Sequence, residues 1–173
     1  KRTLPNWSCG RVTVKGEPED VKKFCEYFNY EDDTYRDDLR KKCFARSFVH
    51  QDWTSFVEDY NLGESNDVEF NVDFAWSAHS CLIEGYPQDN KRNCITLATA
   101  CKRHNVKVDI TTEEPGMGFE EHIVADRNNV LSTSTQMPTF TCVCGASQCI
   151  SKDTDIIDIE CCSCDKSGEG KIK

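Results

Sequence analysis

Val68, Phe70, Val72, Phe74 and Trp76 alternate with Glu69, Asn71, Asp73 and Ala75. That two-residue period predicts a strand over 68–76 with one packed and one wet face. A shorter alternation, Val12 and Val14 within 10–15, predicts a second strand near the start. Gly16-Glu17-Pro18 then opens a helix, with Pro18 in the first turn and Glu17, Glu19 and Asp20 at its positive end. Val21, Phe24, Cys25 and Phe28 recur at helical spacing and form its buried stripe.

The rest of the chain reads in the same way. Residues 29–42 are polar and charged, a solvated loop or a short helix. Residues 44–50 suit a strand, and Trp53, Phe56, Val57 and Tyr60 predict a short helix. A loop covers 85–92. Asn93 is placed to cap a helix reaching about His104, with Ile95, Leu97, Ala98 and Cys101 inward. Val106, Val108 and Ile110 alternate as a strand, and the turns at 115–118 and 127–129 predict a meander through Leu131.

Strand, helix, strands, helix, strand is a split βαβ order, which predicts an α+β, ferredoxin-like sandwich. The expected organisation is a domain over 1–131, a Ser/Thr-rich linker over 132–138 and a small tail over 139–173.

Charge narrows the function. The 173-residue chain carries a formal charge of −9, which disfavours nonspecific binding to nucleic acid or anionic membrane. A partner with a basic groove fits better; the alternative is that the acidity serves solubility. No run approaches the roughly 20 apolar residues of a membrane span, and no signal-peptide core follows Lys1-Arg2. The six cysteines before residue 142 are scattered singly, and Cys25 and Cys101 fall on helical stripes. A reduced, cytoplasmic protein is expected.

The other six of the twelve cysteines lie from Cys142 onward. Cys142-x-Cys144-Gly145 and Cys161-x-x-Cys164 are separated by sixteen residues, close to the two-knuckle pattern that holds Zn2+ in a tetrahedron of thiolates. Cys142, Cys144, Cys161 and Cys164 are the expected ligands of a structural zinc ribbon. Cys149 and Cys162 compete for places in that set, and disulfides or free thiols are the alternative to a metal. Strands are expected at 139–144 and 154–161. The thiolate-rich, closed set disfavours a catalytic ion.

Little else suggests chemistry. Cys81 with His79, or a thiol with His122, would be a nucleophile pair, but neither sits in a hydrolase signature, and turn or strand roles are expected. Glu113, Glu114, Glu120 and Glu121 bracket the 115–118 turn, a candidate partner-binding rim or a solvated hairpin end. Trp7, Trp53 and Trp76 are expected in the core.

Asn6-Trp7-Ser8-Cys9-Gly10-Arg11-Val12-Thr13-Val14-Lys15-Gly16, followed by Pro18-Glu19-Asp20-Val21, resembles the opening of the YubB ferredoxin-like family of phage and plasmid accessory proteins. Phe70 to Ser77 and Glu113 to Phe119 are similar to later segments of that family. The resemblance implies a ferredoxin-like fold and a mobile-element origin. With the acidity, it leads to the expectation of a non-enzymatic, anti-CRISPR-type inhibitor of a host defence nuclease such as a CRISPR effector, acting in the bacterial cytoplasm. The rival expectations are a zinc-ribbon nucleic-acid-binding module and, from a third class, a thiol- or metal-dependent enzyme.

Overall fold

A computed structural model describes residues 6–31, 41–85, 93–151 and 154–173. Most of the segments expected at 29–42 and 85–92 lies outside the described residues.

The protein is α+β and its sheets are antiparallel. Its larger sheet contains β1 (Trp7–Lys15), β2 (Ser47–Phe48), β3 (Asp67–Ala75), β4 (Lys107–Glu114), β5 (Phe119–Ala125) and β6 (Val130–Gln136), in the order β2-β3-β1-β4-β5-β6. Between these strands run α1 (Pro18–Cys25), α2 (Trp53–Asp59), α3 (Ala78–Leu82) and α4 (Leu97–His104). The first strand thus lies inside the sheet, held by β3 along its whole length and by β4 from Cys9 to Lys15.

Alternation decides which face is buried. Ser8, Val12 and Val14 of β1, Val68 to Phe74 in steps of two, and Val108, Ile110 and Thr112 of β4 are all buried. Their neighbours Arg11, Glu69, Asn71, Asp109 and Thr111 are exposed. Buried residues of α1, α3 and α4 join the first set in one core, so the helices cover one face and leave the other to water. Within that core Phe28 sits 5.0 Å from Phe44 and 5.3 Å from Phe70, whose ring is 5.0 Å from Phe56, mostly edge to face.

Local signals start and stop the helices. Asp52 accepts the Ser55 N–H at 3.0 Å to cap α2, which holds its carboxyl below the usual range. Thr96, not Asn93, caps α4; the backbone at Cys94 instead forms a parallel β-bridge with that at Cys43, both thiols free, so the chain is extended where a helix was expected. Asn105 ends α4 with φ 49°, the left-handed conformation that asparagine tolerates. Burial pushes the Cys81 and Cys101 thiols up to about 12 and raises Cys25 further, so these behave as small hydrophobes.

Other expectations need correction. The presumed linker at 132–138 is mostly strand: β6 pairs with β5 from Val130 to Gln136, because a run of Ser and Thr suits an edge strand as well as a loop. The strand expected over 44–50 shrinks to the two residues of β2. Trp76 leaves β3 with φ 73°, and Trp7 is 41% exposed, packed edge-on against Phe48 at 5.7 Å rather than in the core.

His104 joins α4 to α1. Its Nε2 lies 2.8 Å from the Tyr27 hydroxyl and its Nδ1 3.9 Å from Asp20. Burial holds its pKa below the ordinary value despite the Asp20 charge. The unfolded chain therefore takes up this proton first. The stability contribution is complete above about pH 6.5 and is lost as pH falls through the lower folded value. Denaturant midpoints should fall on acidification through this window, and His104→Asn should flatten that slope. Phe44→Ala should destabilise the protein by about 3–5 kcal/mol, measured by the same unfolding experiment.

Candidate metal centre

The tail cannot bury much. Its own core is Phe140, Cys142, Ile150, Ile159 and Cys161, flanked by Ala146, Ile156 and Cys164. Around it, β7 (Thr139–Cys142) pairs with β8 (Ser147–Cys149) on one side and β9 (Gly170–Ile172) on the other. The strand expected at 154–161 is a 3-10 turn at Ile156–Asp158 followed by a single bridge from Glu160 to Ser167. Isoleucines next to each other, rather than alternating, are compatible with that turn.

Two knuckles present the sulfurs. In the first, Cys142 donates its N–H to Ala146 and accepts from Gly145, whose φ of 91° only glycine adopts readily. In the second, Cys161 donates to Lys166 and accepts from Asp165 at φ 56°. The loops match except that the first is one residue shorter. That residue is the difference between Cys-x-Cys and Cys-x-x-Cys.

Four sulfurs meet between the knuckles. The Sγ atoms of Cys142, Cys144, Cys161 and Cys164 lie within 4.8 Å of one another, with Cys142 and Cys164 at 3.6 Å and Cys144 and Cys161 at 3.6 Å. A disulfide needs about 2.05 Å. Four sulfurs each about 2.3 Å from a tetrahedral ion are separated by about 3.8 Å. The cluster therefore has the dimensions of a metal site and can hold an ion. Cys149 is elsewhere: a Cβ on Gly118 would come 2.8 Å from its Sγ. Cys162 is exposed, with its N–H bonded to Gln148 at 2.9 Å.

The electrostatics of the four thiols also favour a cation. The Ser163 N–H is the largest influence on Cys161, and with the other knuckle donors brings its pKa to about 6. Cys164 receives the Lys166 N–H, yet burial and the neighbouring sulfurs drive it up to about 12. One thiolate forms readily and makes the next unfavourable. A divalent cation removes that mutual repulsion.

The four glutamates do not form one exposed rim. Glu114 is buried and accepts the Gly116 N–H at 3.1 Å and the Met117 N–H, folding the turn around its own carboxylate. Glu121 is buried too, accepting the Ala78 N–H at 2.7 Å, the His79 N–H at 3.2 Å and the Thr112 hydroxyl at 3.2 Å. The β period explains this, since Glu114 and Glu121 fall on the packed face. Glu113 and Glu120 oppose each other on the open face, and Ser151 of the tail donates to Glu113 at 3.0 Å.

Neither histidine pairing with a thiol forms. Cys81 is buried, its thiol 3.3 Å from the Ala75 carbonyl, while His79 Nδ1 lies 3.0 Å from the Ser132 hydroxyl. His122 pairs with Asp109 at 2.9 Å. The open face instead contains a concavity of about 470 Å³ lined by Cys9, Arg11, Glu69, Asn71, Asp109 and Glu113, among others. Arg11, Thr13, Glu69, Asn71 and Asp109 were legible as the wet half of an alternation, whereas Cys9, Gly10, Thr111 and Glu113 join them only through the strand register.

These features define an α+β protein with a four-cysteine cluster near its C-terminal end. No protein-family profile, curated protein or solved structure matches the chain. Among the described residues no helix is long and apolar enough to cross a membrane.

Serine at any of the four positions should lower bound metal from one ion per chain towards none by elemental analysis. Cys149→Ser and Cys162→Ser should leave it unchanged. A chelator should loosen the tail, read as hydrogen exchange at Phe140, Ile150 and Ile159.

Proposed function

We propose that the chain is a zinc-stapled recognition protein that engages a basic protein surface through the open face of its sheet. The observation that carries this reading is the charge on that face. Asp67, Glu69, Asp73, Asp109, Glu113 and Glu120 stand against Arg11, Lys15 and Lys107. Lys15 and Arg11 are already engaged by Asp67 at 3.1 Å and Glu69 at 3.4 Å. The excess is acidic and lies around a concavity large enough for several side chains.

The same reading assigns the ion and the fold. Zinc suits a closed set of four thiolates better than magnesium or calcium, which take oxygen ligands. The run β2-β3-β1-β4, with β1 and β2 pointing one way and β3 and β4 the other, is the order of a ferredoxin-like sandwich, to which β5 and β6 are added. A defence nuclease with basic channels for guide and target strands, such as a CRISPR effector, is the partner class we propose. The resemblance of the opening segment to mobile-element accessory proteins motivates proposing a mobile-element origin as part of the same reading.

Acidic faces meet basic grooves with salt-sensitive affinity. Affinity capture from a bacterial lysate should recover a basic nucleic-acid-handling protein at low salt and lose it at high salt. The combined change Glu69→Gln, Asp109→Asn and Glu113→Gln should weaken capture roughly tenfold, about 1.4 kcal/mol, without altering the fold. Salt-independent capture, or direct binding of DNA or RNA by the purified chain, would count against this reading; the latter would favour a nucleic-acid module.

A further inference from the structure

We propose that the outer edge of β6 pairs antiparallel with β6 of a second copy of this chain, joining two six-stranded sheets into one. Among the described residues β6 is the last strand of the sheet, and β5 is its one partner. The hydrogen-bond alternation shows which backbone groups are left over. Asn129 accepts the Asp126 N–H at 2.9 Å, and Met137 donates to Gly118 at 2.8 Å. In an antiparallel ladder bonding alternates by residue, so odd-numbered positions of β6 bond inward. Val130, Ser132, Ser134 and Gln136 therefore present their N–H and C=O groups outward.

Those four positions complement themselves. A two-fold axis through Thr133 sets Ser132 opposite Ser134 of the other copy and Val130 opposite its Gln136, so every outward position finds a reciprocal partner. The occupant follows from charge and apolar area. A chain of charge −9 repels its own copy, yet no charged residue occurs between Arg127 and Lys152. Asp126 lies at the turn before β6, off the strand itself, and Glu120 and Glu121 are one strand further in. Leu131 is 68% exposed beside Val124 at 40%, an apolar pair that the second copy would cover. The strand also has none of the lysines, prolines or bulges that keep edges apart.

Sedimentation equilibrium should show a concentration-dependent dimer that tightens as salt rises, because salt screens the repulsion between copies. That is opposite in sign to the partner capture proposed above, so the two ideas fail separately. Ser134→Pro removes an outward N–H without touching the β5 ladder and should weaken the dimer at least tenfold with an unchanged circular dichroism spectrum. Thr133→Cys should form an intermolecular disulfide under copper-phenanthroline oxidation, since residues facing at a non-hydrogen-bonded pair are about 4.5 Å apart between Cα atoms. Wild type and Leu131→Cys should not gain that bridge. If Ser134→Pro does not fold, the cross-link decides. A chain that stays monomeric at all concentrations overturns the proposal and leaves the edge for a strand of another protein. A dimer that survives Ser134→Pro, or that forms no Thr133→Cys bridge, overturns it as well.

Discussion

Helices cover one face of the six-stranded sheet and water covers the other, so residues of β1, β3, β4 and β5 fall into two populations by position alone. The apolar population must face the helices, and that demand fixes register. A slip of one residue between β1 and β3 would turn Val68, Phe70, Val72 and Phe74 into water and bury Glu69 and Asp73. The cost of such an inversion, four apolar side chains at about 1.5–3 kcal/mol each, is comparable to the whole stability of an ordinary domain, about 5–15 kcal/mol. The acidic surface is therefore a by-product of packing in its geometry and a matter of composition only in its sign. Whatever occupies the wet positions is displayed as one ordered array.

The tail is held by a different force. Five buried residues cannot offset the ordering of a segment this long, and an ion held by the four sulfurs at metal-site spacing would supply what packing lacks. The tail is not an isolated bead, however. Ser151 reaches Glu113 on the open face, Cys149 lies against Gly118, and Met137 bonds to Gly118. Gly118 closes the turn that Glu114 folds from inside. The thiolate cluster thus braces the end of the β4–β5 hairpin, and loss of its order would be felt at one end of the concavity on the sheet.

What could be read from sequence was whatever depends on a local period. The alternation in β3, the stripe of α1 and the four-cysteine spacing all survive, because each is specified by residues close together in the chain. Errors arose where distant partners decide. Ser132 to Gln136 look like a linker until β5 is there to pair with them. Glu114 and Glu121 look like solvated acids until the backbone amides at the 115–118 turn and the start of α3 are brought to them. α3 itself, five residues capped by Ser77, was too short to give a helical period. The choice of Cys144 over Cys149 was open for a related reason: spacing alone does not say that a one-residue-shorter loop closes with the same bonds as its longer counterpart.

The two edges of the large sheet are treated differently, and the contrast bears on recognition. At one edge β2 has two residues and is further engaged by a bridge between Asn29 and Phe48, so little backbone is on offer. At the other, β6 runs seven residues in full register with β5. Proteins ordinarily blunt a strand of that length with charge, because an unpaired edge is a template for any extended chain. Here charge is abundant everywhere except beside this edge, from Arg127 to Lys152. An acidic face suited to a basic partner and a neutral edge suited to backbone pairing are thus kept apart on one sheet. The alternation that separates face from core also separates the two proposed modes of contact: side chains would read the first, and the peptide groups that side chains leave exposed would read the second.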